Sequence, residues 1–571
     1  MTKITIRTFN DKYYHALKNA GVSPLLARLF AARGVENAQE THNSLQYLQH
    51  FGSLKNIDAA AYRLADALKN KQHIVIVGDY DADGATATAL AVSALRQMGG
   101  VVDYLLPNRF TDGYGLNPAL VDMAKQMGAD LLLTVDNGIA AVAAVDYAHK
   151  QGIETIVTDH HLPAETLPNC IIVNPNQNDC PFPYKSTAGV GVMFYVLLAL
   201  RHILRAENYF NERLPEPKLS DYLDLVALGT VADVVKLEHN NRILVHQGLK
   251  RIRQGKMRLG IKALFDIARR NYKHANTFDL GFCIAPRLNA AGRLDDMDLG
   301  VRCLLSNDEE EAQLLAKELN LLNQERRSIE KGMVSEALQL PDIKENNNYT
   351  ISVLGGDWHE GVIGIVAGRL KEQFYRPTIA FAPADNGLCK GSGRSIDSLH
   401  LRDALDLTAK RYPDLIIKFG GHAMAAGLTI RQNDFARFQV AFESVVADLL
   451  HQDDLIKEYR TDGGLEADTI TLDTARQLEQ HIWGQGFAPP VFCDEFSVLQ
   501  QKIVGENHSK LLIEKDGKIL DAMLFRDTTR LPEKVRLVYR LGVNMWQNKE
   551  ELQIVIEYWQ TMSNEQLAMS N

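Results

Sequence analysis

Closely spaced cysteines are missing from this 571-residue chain. Cys170, Cys180, Cys283, Cys303, Cys389 and Cys493 show no CxxC spacing, which argues against zinc ribbons and a disulfide framework and suits a reducing cytoplasm. Long apolar runs are missing too. The most apolar stretch, VGVMFYVLLAL, is too short to span a bilayer and reads as a buried helix. The opening MTKITIRTFNDKYYHALKNAG lacks an apolar h-region, so no signal peptide is expected. There are no internal repeats and no low-complexity linkers. Positive charge is in deficit, with 62 Lys and Arg against 71 Asp and Glu, a net charge of −9. That balance disfavours a protein that coats nucleic acid by bulk charge, but it leaves room for a local basic groove beside an acidic metal centre. The remaining composition, 46% hydrophobic and 23% charged, is that of a soluble globular protein. The length suits about three to four domains.

Against that background GDYDADG, residues 78–84, packs Asp79, Asp81 and Asp83 into one short stretch. An exposed turn tolerates such charges in water. An EF-hand loop also spaces acids by two, but it continues for about twelve residues to a bidentate Glu; here the chain runs into ATATALAVSALRQ, a helical pattern. A divalent-metal site is the third reading, and it needs ligands from elsewhere. The chain beyond supplies them. Short apolar runs at 73–78, 101–107, 130–135, 153–158 and 170–174 alternate with amphipathic helical patterns, which predicts a parallel α/β sheet. Polar clusters fall at the carboxyl ends of successive strands: the Asp triplet, then Asp136, then Asp159, His160 and His161. Ligands of open α/β sheets bind at that edge. Carboxylates with imidazoles form a ligand set for Mn²⁺ or Mg²⁺. YLDLVALGTVADVV reads as a buried helix broken by Gly229, with Asp233 at its end, where a lone Asp is more often a cap than a ligand.

GDYDADG, VDNG, DHH and GTVAD, in this order and spacing, resemble the four motifs of the DHH phosphoesterase superfamily. LLARLFAARGV, LPNRFTDGYGLN, APRLNAAGRL and FGGHAMAAG resemble its single-strand-specific exonuclease branch. The resemblance implies that Asp81 and Asp83 are metal ligands, that Asp136 bridges two metals, and that His160 and Asp233 hold the second. By the same resemblance His161 contacts the phosphate or assists the leaving group. Asp79 joins the metal set or orients it, and Asp159 acts with His161 or orients a ligand.

Residues 307–340 place Leu315, Leu319, Leu322, Ile329 and Met333 on one stripe, predicting a long amphipathic helix docked on a neighbouring domain; Arg326 interrupts the run and argues against a coiled coil. A smaller α/β unit begins at 347. Its KGSGRS and FGGHAMAAG are either plain turns or phosphate contacts, since Gly allows close backbone approach and Ser392, Arg394 and His422 supply donors. The resemblance makes this the substrate-binding domain, with Ser392 and Arg394 on the 5′ end, His422 near the scissile phosphate, Gly421 as a further substrate contact, and Arg109 and Arg287 as further phosphate contacts. Each arginine alone also reads as a salt-bridge partner. Trp358 and His359 read as either packing or base stacking, packing being the commoner role for an aromatic there.

Segment 456–562 alternates short strands with polar turns, predicting a small antiparallel barrel; an OB-fold is the family expectation. Tyr539, Trp546, Tyr558 and Trp559 are stacking or core residues of it. The tail 563–571 reads as disordered. The expected division is 1–306 for the metal domain with its N-terminal segment, 307–346 for the linking helix, 347–455 for the substrate-binding domain, 456–562 for the barrel, then the tail.

The implied protein is a two-metal, 5′→3′ exonuclease that degrades single-stranded DNA to mononucleotides in repair and recombination. It uses Mn²⁺ or Mg²⁺ and acts as a cytoplasmic monomer, off the membrane, alongside a single-strand-binding protein and a helicase. One rival is a phosphoesterase of oligoribonucleotides, cyclic dinucleotides or pyrophosphate, whose relatives usually lack the barrel. The other is a replication scaffold that has lost its metal ligands, against which stands the complete acidic set.

Overall fold

A computed structural model of the chain describes residues 2–340, 343, 348–546 and 549–562. The tail at 563–571 lies outside the described residues. The chain forms two compact units. One comprises Ile4–Gly292, Met297–Lys317 and the chain from Arg460 onward; the other is chiefly Glu318–Tyr459, with Arg293–Asp296.

The core of the first unit is a five-stranded parallel sheet of His73–Val77, Val101–Leu105, Leu131–Val135, Glu154–Thr158 and Ile171–Val173. Four of these strands are buried along most of their length and so read as unbroken apolar runs, whereas the edge strand Val101–Leu105 is mostly half-buried or exposed and carries Asp103. Across the sheet the strands run in the order second, first, third, fourth, fifth. The order reverses between the first and third strands, so the crevice for a ligand opens beyond the carboxyl ends of those two. Asp79–Asp83 and Asp136 occupy that position.

Helix Gly189–Ala206 is long and apolar enough to cross a membrane by composition, but 72% of it is buried in this unit, so it is a core helix. Helix Leu223–Ala232 is continuous, and Gly229 does not break it. Gly229 instead lets this helix close on Ala82–Gln97 and Gly189–Ala206: a Cβ there would overlap Thr86 Oγ1 and stand 2.7 Å from Asp83 Oδ1 and from Val190 Cγ1. The expected break was a close approach between helices.

The same unit ends in a closed barrel of Phe492–Val504, His508–Lys515, Lys518–Leu524, Lys534–Trp546 and Lys549–Thr561. Tyr539 is a core residue whose hydroxyl donates to Asp494 Oδ2 at 2.8 Å. Trp559 Nε1 donates to Asp527 Oδ2 at 3.3 Å, and Tyr558 is half-buried. The side chain of Trp546 lies outside the described part.

The second unit holds a mixed five-stranded sheet of Lys418–Gly421, Ala425–Arg431, Leu388–Arg394, Thr378–Ala384 and Ile351–Leu354, in that spatial order. The long helix spans Glu309–Ala337 and crosses the division between the units. Its buried stripe includes Leu315, Leu319 and Met333. Arg326 is buried too, because its guanidinium meets Glu330 Oε2 at 2.6 Å and Asn323 Oδ1 at 3.1 Å, and Glu330 also pairs with Arg369 at 2.7 Å. Trp358 packs into this core and donates from Nε1 to Glu336 Oε2 at 2.8 Å.

Candidate metal centre

The first strand delivers the acidic triplet, and local chemistry distributes its members. Asp81 is the N-cap of helix Ala82–Gln97: its Oδ1 accepts from Asp83 N at 2.9 Å and Gly84 N at 3.0 Å. The triplet is therefore not wholly a turn, since Asp83 already lies in the first helical turn. Asp83 is buried and caps a second helix, accepting from Gly189 N at 2.7 Å and Val190 N at 3.0 Å. Two helix N-termini thus aim positive dipole ends at one carboxylate cluster. Asn289 Oδ1 accepts from Ala82 N at 2.9 Å and holds the loop from its other side.

Asp136 follows the third strand with φ at 63°, a conformation that Asp tolerates better than most residues. Its neighbour Asn137 builds that turn: Nδ2 donates to the carbonyls of Val77 and Val135 at 3.0 Å each, and Oδ1 accepts from Leu116 N at 3.1 Å. Gly189 must be glycine here, because a Cβ would stand 2.5 Å from Asp136 Cβ. Asp136 Oδ1 lies 3.1 Å from His160 Nε2, and Asp233 Oδ2 lies 3.4 Å from the same nitrogen. Asp233 closes helix Leu223–Ala232 as its C-cap, and the next residue, Val234, is held at φ 60°, strained for a β-branched side chain.

Asp159 orients the histidines. Its Oδ1 accepts from the backbone N–H groups of His160 at 2.7 Å and His161 at 3.1 Å, and contacts His161 Nδ1 at 2.7 Å; Oδ2 accepts from Ile139 N at 2.9 Å. Tyr114 Oη donates to the Asp136 carbonyl at 3.2 Å and stands 3.2 Å from His161 Nε2.

Electrostatics separate the groups. Burial, then the charge of Asp81, pushes Asp79 well above the usual carboxylate range and Asp83 up to about 7. Burial, then Asp83, raises Asp136 and Asp233 well above that range. Asp159 goes the other way: burial works against its charge, but the hydrogen bond and charge of His161 outweigh it and hold the group below the usual value. His161, disfavoured by burial but held by Asp159, is raised to about 9.

Among the described residues, no Lys or Arg pairs with the five crowded carboxylates Asp79, Asp81, Asp83, Asp136 and Asp233. Buried Asp79 Oδ1 and Asp136 Oδ1 accept no hydrogen bond. Three groups bring ligand atoms within 4.8 Å of one another: Asp79, Asp81 and Asp136; Asp83, His160 and Asp233; Asp136, His160 and His161. Hard oxygen donors with one or two imidazoles, and no direct Lys or Arg ion pair among the described residues, fit divalent Mn²⁺ or Mg²⁺.

Among the other expected residues, Arg109 is near enough to the cluster for its charge to favour ionised Asp79. Arg109 lies over the Tyr80 ring at 3.9 Å and donates from Nε to the Gly292 carbonyl at 2.9 Å. Arg287 is buried, with its guanidinium turned back on the Cys283 carbonyl. In the second unit KGSGRS is neither turn nor loop: Lys390–Arg394 is strand, paired on both sides. Gly391 is required there because a Cβ would stand 2.7 Å from Leu428 Cδ2. Arg394 Nη1 donates to the Gly393 carbonyl at 2.8 Å and to Ser392 Oγ at 3.3 Å. Burial lowers its pKa, and among the described residues it makes no ion pair, as suits an anion receptor. Gly421, at φ 141°, ends one strand, and exposed His422 follows it, donating from N to the Ala425 carbonyl at 2.8 Å.

Three family models match the chain. Residues 73–230 match the DHH family N-terminal domain, 346–448 the DHHA1 domain and 461–558 the RecJ OB domain. The chain is 50% identical over 553 residues to the single-stranded-DNA-specific exonuclease RecJ of Salmonella typhimurium strain LT2, covering 94% of this chain and 96% of the relative. It is 34% identical to the Bacillus subtilis protein of the same name, covering 96% of this chain and 70% of the relative. The crystal structure of RecJ from Thermus thermophilus in complex with Mn²⁺ matches with a TM-score of 0.82 at 29% identity, covering 98% of this chain and 79% of that one. At this identity and coverage, with the acidic set in place at the sheet's switch point, the chain belongs to the RecJ family of single-stranded-DNA-specific exonucleases.

Proposed function

We propose that this chain hydrolyses single-stranded DNA from its 5′ end, releasing 5′-mononucleotides, with two divalent ions, Mn²⁺ or Mg²⁺. The observation that carries the proposal is the crowded set of buried carboxylates with His160 and His161 at the switch point of the parallel sheet. Asp79, Asp81, Asp83, Asp136, His160 and Asp233 hold the ions. Divalent ions there supply positive charge for the phosphate and its leaving oxygen and make an attacking water more acidic.

The remaining work falls to the chain. Asp159 accepts from His161 Nδ1 and keeps that ring charged, so His161 contacts the phosphate and passes a proton to the leaving oxygen. Arg109, stacked on Tyr80, offers its guanidinium to a phosphate, and Arg287 is a further contact. In the second unit Arg394 and Ser392 bind the 5′ phosphate, His422 serves the scissile phosphate, and Gly421 is a further substrate contact. The divisions 1–306, 307–346, 347–455 and 456–562 then correspond to chemistry, linkage, end recognition and strand affinity. The barrel favours a polymer over a dinucleotide substrate. The cellular setting is cytoplasmic DNA repair and recombination, as a monomer beside a single-strand-binding protein and a helicase.

The test is digestion of a single-stranded oligonucleotide labelled at either end, with Mn²⁺ or Mg²⁺, by the natural chain and by Asp136→Ala. Release of the 5′ label first, with the variant inactive, is expected. Intact strand with the natural chain overturns the proposal and moves the question to dinucleotides.

A further inference from the structure

The first unit carries an aromatic pair that neither its core nor its carboxylate cluster uses. Phe278 is 53% exposed and Phe282 67% exposed, and their rings stack with centroids 5.1 Å apart and planes inclined by 24°. Two large apolar rings kept in water lose stability that burial would supply. Phe282 lies on the π-helical turn Asp279–Ile284, directly after Phe278, and π turns occur mostly at functional positions.

The turn is anchored next to the metal centre. Gly281, between the two rings, packs on Val231, where a Cβ would stand 3.2 Å from Cγ1; Asp233 is two residues further on. The turn continues into helix Ala285–Leu294, whose Asn289 holds the acidic loop. At about 1.5 Å per residue, roughly 10 Å of helix separates Phe282 from Asn289. That distance is about three stacked nucleotides.

Charge around the pair indicates what it meets. Residues 250–274 contain nine Lys and Arg and one acidic residue, in a chain whose net charge is −9. Arg253 Nε donates to the Ala275 carbonyl at 2.8 Å and Arg270 Nε pairs with Asp279 Oδ1 at 2.6 Å, so this basic stretch is tied to the aromatic turn. Lys250, Lys256, Arg269 and Lys273 are exposed and, among the described residues, make no ion pair.

We infer that Phe278 and Phe282 form a stacking platform for bases of the single strand beyond the reacting phosphate, while the basic stretch follows its backbone. The inference rests on the proposed activity and adds to it a site for strand grip. Stacking on an aromatic face accepts every base. Polyanion binding also explains why the basic stretch tied to the apolar pair keeps Lys250, Lys256, Arg269 and Lys273 exposed and unpaired among the described residues.

The test uses the full chain without metal, so that binding is read apart from cleavage. A strand carrying 2-aminopurine reports stacking by quenching, and titration gives the affinity. The double variant Phe278→Ala/Phe282→Ala is expected to bind the strand at least tenfold more weakly. It should melt as the natural chain does, and the Tyr/Tyr double variant should bind normally. A strand abasic beyond its first few nucleotides should bind the natural chain as weakly as the double variant binds the normal strand. Equal affinity of the natural chain and the alanine variant for the normal strand overturns the inference. A defect seen only when a single-strand-binding protein is added also overturns it, and assigns the pair to protein docking. If the natural chain binds the strand but never cleaves it with Mn²⁺, the proposed activity fails while the platform is still measured.

Discussion

At Asp136 a carboxylate is 2% exposed, on a left-handed backbone, with Asp83, Asp81, Asp233 and Asp79 all raising its pKa. Such a group destabilises the metal-free protein, and a bound cation reverses the sign. Asp136→Asn keeps the shape and the tolerance of positive φ while removing one charge. The metal-free variant is expected to melt at or above the natural chain. Adding Mn²⁺ should stabilise the natural chain, by about 2.7 kcal/mol at a hundred times its dissociation constant. The same addition should move the variant little. Melting curves with Mn²⁺ and with a chelator check both; an equal Mn²⁺ shift in the two proteins refutes the assignment.

Residues of this kind were legible in the sequence because three polar clusters ended three apolar runs. Asn137, Tyr114 and Asn289 were not. Each is a lone polar residue with no periodicity, and each acts by bonding to backbone or rings brought close only by the fold.

Among elements, the strands of the parallel sheet were readable to within two residues, since burial on both faces leaves an unbroken apolar run in the inner ones and the edge strand Val101–Leu105 keeps a β-branched, apolar bias. Glycines misled twice, at Gly229 and in KGSGRS. In both places glycine serves a close approach between elements, which has the same sequence signature as a break or a turn. The distinction is testable on two helical glycines. Gly229→Ala forces a methyl into Thr86, Asp83 and Val190, whereas Gly332 in helix Glu309–Ala337 has nothing within 4 Å of its Cβ position. Gly332→Ala is expected to stabilise by about 0.5–1 kcal/mol through helix propensity. Gly229→Ala should destabilise by about 1–3 kcal/mol through overpacking, and weaken metal binding through Asp83. Calorimetric metal titration with melting separates the two effects; a neutral Gly229→Ala contradicts the packing described.

For the molecule as a whole, the first unit joins segments from the two ends of the chain, and no periodic pattern announces that joint. Arg33 donates to Asp462 Oδ1 and Oδ2 at 2.9 Å each and lies 5.1 Å from the Trp483 ring centroid; Trp483 stacks on Phe487 at 5.2 Å, and Arg242 covers Phe487 at 4.0 Å. His481 meets Phe30 edge-on at 5.0 Å in this joint. Burial, then His246 and Arg242, lowers its pKa to about 4, while His246 and His239 are lowered by burial as well. With an unfolded value of about 6.5, His481 binds a proton in the unfolded chain before it does in the folded one. Between those two values, falling pH therefore favours unfolding, by up to about 3 kcal/mol from this residue. Above the upper value the folded protein suffers no such loss, and below the lower one the loss grows no further. His481→Phe retains a ring for Phe30 and removes the proton, and among the described residues the histidine ring makes no hydrogen bond to lose. The variant should lose less melting temperature between pH 7 and pH 5 than the natural chain, leaving the smaller slope due to His239 and His246. Parallel slopes in the two proteins would show that the joint does not titrate through His481.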